Sequence, residues 1–151
     1  EEGKALNTIS EVIDLATLAI SAEAVGIMQK MNELTLDYTK TREQFGQALS
    51  KFQALQHRMV DTFMVHEQTK SLLLMAAAKM NDKAADTSKS ISALKYQIGS
   101  AAKLIGEESI QLHGGMGVTE EMSIGHYFKR LTTIRTIFGN SDYHLKRYSS
   151  L

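Results

Sequence analysis

The 151 residues carry 17 basic and 17 acidic side chains with no cysteine, which excludes a disulfide framework, thiol chemistry and thiolate metal sites and gives no electrostatic pull toward nucleic acid or an anionic membrane. The length suits one domain with a core of its own. Proline is also absent, where average usage of ~5% would give about seven or eight; its absence favours long uninterrupted helices, because proline breaks them.

The chain opens Glu-Glu-Gly-Lys, with neither an initiator methionine nor a signal-type segment, and reads as a piece of a longer protein. The spacing predicts a first helix over 9–40. Thr8 and Glu11 stand at capping-box spacing at its start. Ile13, Ala16, Ile20, Ala24, Ile27, Met31 and Leu34 recur at three and four residues. Its middle is apolar on nearly every face, as in a central bundle helix. The most apolar stretch, 12–28, contains Asp14 and Glu23 and so reads as a buried core helix and not as a membrane span.

Residues 41–49 break the pattern, and Gly46 permits backbone conformations that other residues resist. Ser50 and Gln53 make a second capping box before a helix over 51–80, with Phe52, Leu55, Met59, Phe63, Leu73 and Ala77 as its stripe. A polar turn over 81–86 ends in Asp86, the expected N-cap of a third helix that reaches residue 112. Gly114, Gly115 and Gly117 end that helix. Thr119 with Glu120 and Glu121 starts a fourth, where carboxylates favour the positive end of the helix dipole, and it runs to residue 137. Gly139 and Asn140 break the chain again before a short helix over 141–148. No strand, repeat or low-complexity segment is expected. The sum is an all-α fold, an antiparallel four-helix up-and-down bundle with a short C-terminal helix.

Two strings at the breaks carry chemistry. In Arg42-Glu43-Gln44-Phe45-Gly46 the planar arginine fork suits a diphosphate, the aromatic can pack on an adenine or a neighbouring subunit, and the glycine turns the chain back. In Gln111-Leu112-His113-Gly114-Gly115 a helix ends in two glycines, as in ordinary C-capping, and Gln111 offers an amide donor and acceptor. Each string alone also reads as a plain interhelix loop. Their order and context are far more specific. Tyr38-Thr39-Lys40-Thr41 leads into the first string, Lys51-Phe52-Gln53-Ala54-Leu55-Gln56-His57 follows it, and Met116-Gly117 extends the second.

From residue 9 to the end this text resembles the C-terminal helical domain of the acyl-CoA dehydrogenase family. The resemblance implies a parent chain with an N-terminal helical domain and a middle β-domain. It implies dimers that often pair into tetramers, and FAD at a subunit interface. Arg42 resembles the arginine that meets the FAD diphosphate of the neighbouring subunit, and Phe45 the phenylalanine beside it. Gln111, Gly114 and Gly115 resemble the segment that contacts the adenosine-diphosphate half of FAD. The implied reaction is α,β-dehydrogenation of an acyl-CoA thioester: a carboxylate base removes the α-proton, the β-hydride passes to flavin N5, and electrons leave to an electron-transfer flavoprotein.

The match fails at the base. Many members carry a glutamate just before a Gly-Thr near the C-terminus, where this chain has Phe138-Gly139-Asn140. Phenylalanine takes no proton, and Asn140 replaces a threonine that helps bind FAD, though its amide can still donate. Relatives that place the base on the first helix would have it at Ala16, with Thr17 replacing a nearby arginine. Glu23 lies on roughly the face of Ala16, about 10 Å further along, and Asp142 is four residues after Phe138; these are the substitute candidates. A buried Glu23 would have a raised pKa suited to a base, and the competing reading pairs it with a nearby basic side chain. For Asp142 the competing reading is an exposed carboxylate in the first turn of a helix.

The five histidines lack paired metal-ligand spacing, so no metal site is expected. His113 adjoins the glycine pair and is open to cofactor contact or to helix packing. Lys129 and Arg130 suit a phosphate or a solvated or interface position. The methionines scatter along the helices as core filler.

Two readings follow, besides a third in which the parent is a working enzyme with its base relocated to Glu23 or Asp142. In one, the parent is an FAD-dependent acyl-CoA dehydrogenase subunit that lacks the usual base and works in a homo- or hetero-oligomer, where a partner subunit supplies the base. The text also resembles small-subunit dehydrogenases of dicarboxylyl-CoA thioesters such as pimeloyl-CoA. In the other, the chain is a non-catalytic assembly or binding module derived from the family. Without the middle domain, residues 1–151 alone should not catalyse. Neither nucleic acid nor membrane is an expected partner, and the cytoplasm is the default compartment.

Overall fold

The computed structural model describes residues 5–151, so the Glu-Glu-Gly-Lys opening lies outside the described residues. Five α-helices follow in order: α1 (Leu6–Thr41), α2 (Gln53–Asn81), α3 (Thr87–His113), α4 (Ser123–Ile134) and α5 (Ser141–Ser150). A two-stranded hairpin, β1 (Glu43–Gln44) and β2 (Gln47–Ala48), sits between α1 and α2.

Helices α1 and α3 run parallel: Ser88 meets Asp14 at one end and His113 meets Tyr38 at the other. Helix α2 runs against both, with Asn32 reaching Thr62 and Gln97 reaching Thr69. Helices α4 and α5 both run against α3, stacked end to end. Phe128 of α4 packs at Gly106, Ser141 of α5 at Gly99, and Arg147 reaches Ser92. The fold is the expected antiparallel bundle, with α4 and α5 forming one rod broken at 135–140.

The central helix is α3, and not the first helix as its apolar composition suggested. Ile91, Leu94, Ile98, Ala101, Ala102 and Ile105 of α3 form the core with Ala24, Val25, Met28 and Met31 of α1, Ala76 of α2, and Ile124, Leu131 and Ile134 of α4. Small residues let neighbours approach α3 closely; a Cβ on Gly106 would lie 3.0 Å from the Phe128 ring. The N-terminal half of α1 instead buries Asp14, Thr17 and Ser21 and exposes Leu6, Ile9, Val12, Ile13 and Leu15. Periodicity registers an apolar stripe without saying whether this chain covers it. For the same reason Phe63 of the expected α2 stripe is exposed, while Thr62, His66 and Thr69 are buried.

The capping expectations fail in detail. Helix α1 begins at Leu6 behind Ala5, with no side-chain cap, so Thr8 lies inside it. Ser50 falls in a 3-10 turn, Leu49–Lys51, and α2 starts at Gln53 behind Phe52, again uncapped. Asp86 does precede α3, but its carboxylate accepts from Lys79 at 2.5 Å and caps nothing. Residues 114–118 continue α3 as a 3-10 turn, which moves the start of α4 to Ser123, beyond Thr119, Glu120 and Glu121. Helix α4 stops at Ile134. Asn140 caps α5, its side chain accepting from the Tyr143 backbone N–H at 2.9 Å.

Candidate functional site

The hairpin forms for a local reason. Phe45 and Gly46 are its two-residue loop, with φ of 56° and 80°, the positive pair that a tight type I′ turn needs. Glycine adopts this freely, whereas an aromatic resists it. The turn therefore holds Phe45 in a disfavoured conformation, with its side chain 91% exposed at the tip. It touches Phe52 edge-on, ring centroids 6.2 Å apart. Arg42 stands at the base of the hairpin, its backbone N–H bonded to Tyr38 O and its carbonyl accepting from Leu49 N, both at 2.8 Å.

The second string lies at the same end of the bundle. The Tyr38 and His113 rings stack with centroids 4.4 Å apart, which brings the end of α1, and with it Arg42, beside the end of α3. Gly114 is the C-cap of α3, with φ 60° and ψ −143°, and a Cβ on Gly114 or Gly115 would meet nothing within 4 Å. Arg42, Gln111, Gly114 and Gly115 are exposed. Neither the Arg42 guanidinium nor the Gln111 amide is held in an ion pair or side-chain hydrogen bond among the described residues. The end thus presents a free guanidinium for a diphosphate, a free amide for a base edge or ribose, an exposed ring for stacking, and bare backbone for close approach. That donor set fits a dinucleotide.

Asn140 and Phe138 lie elsewhere, in the break between α4 and α5. Lys95 of α3 contacts this break, and Lys95 and Gln111 are about 24 Å apart along α3 at the helical rise. One chain therefore does not gather all the predicted cofactor contacts at one place. Phe138 has φ 58° and is 42% exposed; Gly139 has φ 104°.

Of the two readings of Glu23, the geometry is that of the pair with a basic side chain and not of a buried base. Glu23 is partly exposed and bound by Arg130 through two hydrogen bonds of 2.6 and 2.8 Å, and the Arg130 guanidinium holds its carboxyl below the usual range. Asp142 is exposed in the first turn of α5. Arg130 is thus spent on Glu23, and Lys129 pairs with Glu120 at 2.8 Å. His113 is buried, donating from Nδ1 to Ser109 O at 2.8 Å, which places it in helix packing. Among the described residues no cluster of histidine and carboxylate side chains is arranged to hold a metal, and no helix is long and apolar enough to cross a membrane.

Two polar residues that reach into the break, Lys95 from α3 and His144 from α5, were not singled out from the sequence. Lys95 is fully buried, and its Nζ donates to Ile134 O, Arg135 O and Gly139 O. Burial lowers its pKa to about 8. His144, also buried, donates from Nε2 to Phe138 O at 2.9 Å. The available signal was a lysine inside the apolar stripe formed by Ile91, Leu94 and Ile98. Its acceptors are backbone carbonyls far along the chain, which no side-chain pattern marks.

A family model described as "Acyl-CoA dehydrogenase, C-terminal domain" matches residues 4–149. Acyl-CoA dehydrogenase IpdE2 of Mycolicibacterium smegmatis is 34% identical over 135 residues, covering 89% of this chain and 41% of that protein. Among solved structures, a variant of the Tcur3481-Tcur3483 steroid ACAD superposes with a TM-score of 0.91 at 29% identity, covering 98% of this chain and 40% of that one. PigA with FAD and proline superposes with a TM-score of 0.85 at 28% identity, covering 91% of this chain and 36% of that one. The chain spans about two fifths of the length of the relatives it matches.

Proposed function

The chain belongs to the acyl-CoA dehydrogenase family, as its C-terminal domain, and on that premise we propose that it serves an FAD-dependent acyl-CoA dehydrogenase by holding flavin at a subunit interface while lacking the usual base. One observation carries this reading: Arg42 and Gln111, far apart in sequence, are brought to one end of the bundle by the Tyr38–His113 stack, beside the exposed Phe45. Arg42 binds the diphosphate, Phe45 packs on the adenine side, and Gln111 with Gly114 and Gly115 lines the adenosine half. Asn140, at a separate level of the bundle, serves a second flavin related by the dimer axis. The bound flavin supplies a hydride acceptor.

Phe138 leaves the turn after α4 without a proton acceptor. The proton is then taken by a partner subunit's carboxylate, in keeping with the two-part name of the Tcur3481-Tcur3483 steroid ACAD. The substrate is an acyl-CoA thioester, with electrons passing to an electron-transfer flavoprotein. The test is flavin content per chain in the full-length protein. Arg42→Ala and Phe45→Ala should each lower flavin affinity by about tenfold or more without shifting the melting temperature of the flavin-free protein, since both side chains project from the surface.

The absent base and the uncovered apolar residues Leu6, Ile9, Val12 and Leu15 on α1 favour one other reading, a module kept for assembly. Full-length protein that assembles normally with its partner yet never takes up flavin would decide for it.

A further inference from the structure

The break between α4 and α5 is built from unfavourable parts. Phe138 sits in the left-handed region, which bulky L side chains resist. Gly139 has no substitute, since a Cβ there would lie 2.4 Å from the Tyr143 ring. Lys95 is an ammonium with 0% exposure among apolar neighbours, an arrangement with a large desolvation cost. Core packing does not require it; an aliphatic side chain of similar length would fill the space.

What Lys95 gives back is confined to the break. Its three hydrogen bonds go to Ile134 O at 2.9 Å, Arg135 O at 3.3 Å and Gly139 O at 3.0 Å. A cation there also opposes the negative end of the α4 dipole. His144 holds the preceding carbonyl, Phe138 O, at 2.9 Å. Two successive carbonyls are therefore held by two buried side chains from different helices, and the Asn140 cap fixes the third residue. A strained segment persists only where its surroundings over-determine it, and these contacts are that over-determination.

We propose that Lys95 and His144 are a positioning pair that locks the Phe138–Gly139–Asn140 turn, so that the Phe138 ring and the Asn140 amide nitrogen stand at a fixed place facing the flavin site. The purpose assigned to the lock rests on the flavin reading above; the lock itself does not. Lys95 is not placed to react with substrate, because it is fully buried and its donors are spent on carbonyls. Phe138 becomes a fixed inert wall where relatives carry a base, and Asn140 becomes a pre-aimed donor.

The experiment uses the full-length protein with the partner it purifies with, and has two arms. The first is amide hydrogen exchange in Lys95→Met and His144→Leu. Exchange should rise by about tenfold or more over residues 136–140 and stay unchanged over the centre of α3, and His144→Gln, which keeps a donor, should restore protection. Unchanged exchange in the turn, or a rise spread over the whole domain, would overturn the lock.

The second arm is flavin affinity in a double-substitution cycle of Lys95→Met with Asn140→Ala. Lys95 acts through the turn if each change alone weakens flavin and the second adds less than about twofold to the first. Losses that multiply would make Lys95 a merely structural residue. Full flavin affinity with loss of bleaching by acyl-CoA would make it a reacting amine and overturn the positioning role. Wild-type protein without flavin would sink the flavin reading and the purpose given to the lock, and the exchange arm would still decide whether the lock exists.

Discussion

Tyr38 and His113 stack face to face, their ring planes 21° from parallel, and this one contact joins the last turn of α1 to the last turn of α3. Everything proposed for the flavin-holding end depends on that register, because Arg42 hangs from α1 and Gln111 from α3. His113→Ala should cost about 1–3 kcal/mol in chemical denaturation, from the lost ring pair and the cavity beneath it. In full-length protein it should also weaken flavin binding, although His113 itself is buried away from any ligand. Unchanged flavin affinity in a destabilised variant would detach the stack from the site.

His113 and His144 are both held below the usual histidine range, chiefly by burial. Below their ordinary value of 6.5 the unfolded chain binds protons that the folded chain refuses, so stability is full above that value and is lost as pH falls through the folded values. The melting temperature should therefore fall between about pH 7 and about pH 5. His144→Gln should flatten the slope. A wild-type profile that is flat across this window would mean that neither ring is buried neutral.

The bundle was legible in the sequence because it rests on long helical periodicity without proline, and its breaks fell at Gly46, Gly114 and Gly139 as read. What was not legible was which face each helix turns inward. The apolar residues at 9, 12 and 15 look outward while Asp14, Thr17 and Ser21 are buried, because a stripe states amphipathicity and not its partner. The hairpin over 43–48 escaped notice because two-residue strands leave no alternation to find, and Phe45 is an uncommon residue for a type I′ turn. Arg42 and Gln111 were found by their motif text; that they share one end follows from α1 and α3 being parallel. Lys95 was missed because its partners are carbonyls.

Asp14 explains part of that inward polar face. Its carboxylate accepts two hydrogen bonds from Arg147, at 2.6 and 2.9 Å, and one from Ser88 at 2.6 Å, which pins the end of α5 to α1 and α3. Arg147→Met would strand a buried carboxylate and should cost about 3–5 kcal/mol. The double variant Asp14→Asn with Arg147→Met should be more stable than Arg147→Met alone, because the uncompensated charge is gone. Denaturant midpoints of the two variants against the unsubstituted protein decide this, and equal losses in the single and double variants would refute it.

Two helical glycines should respond in opposite directions to alanine. At Gly26, in the middle of α1, a Cβ would meet nothing within 4 Å, so Gly26→Ala should stabilise by about 0.5–1 kcal/mol through lower unfolded-state entropy. At Gly99 the same atom would fall 1.9 Å from Ser141 Oγ and 3.3 Å from Ser141 Cβ. Rotation of the hydroxyl relieves only the first contact. Gly99→Ala should therefore push α5 off α3 and cost about 1–3 kcal/mol. Thermal melts of the pair test the close α3–α5 approach directly.

A carboxylate held low by a bidentate arginine is a poor proton acceptor at neutral pH, and Glu23 is in that state with Arg130. Glu23→Gln in the full-length protein should leave flavin reduction by acyl-CoA as it was, and should change stability little, because the pair is solvent-screened. Asp142→Asn should be equally silent. Phe138→Glu is the informative change: it places a carboxylate at the position that the family text assigns to the base, on a turn whose backbone is already held by Lys95 and His144. In full-length protein separated from its partner it should raise flavin bleaching by about a hundredfold, within the range general-base catalysis supplies. Loss of bleaching in Glu23→Gln would instead make Glu23 the base, with its arginine pair a resting arrangement that substrate must break. Partner-free protein in which Phe138→Glu leaves bleaching unmoved would mean that this turn does not face the reacting carbon, and the turn after α4 would then matter only for its ring and its amide.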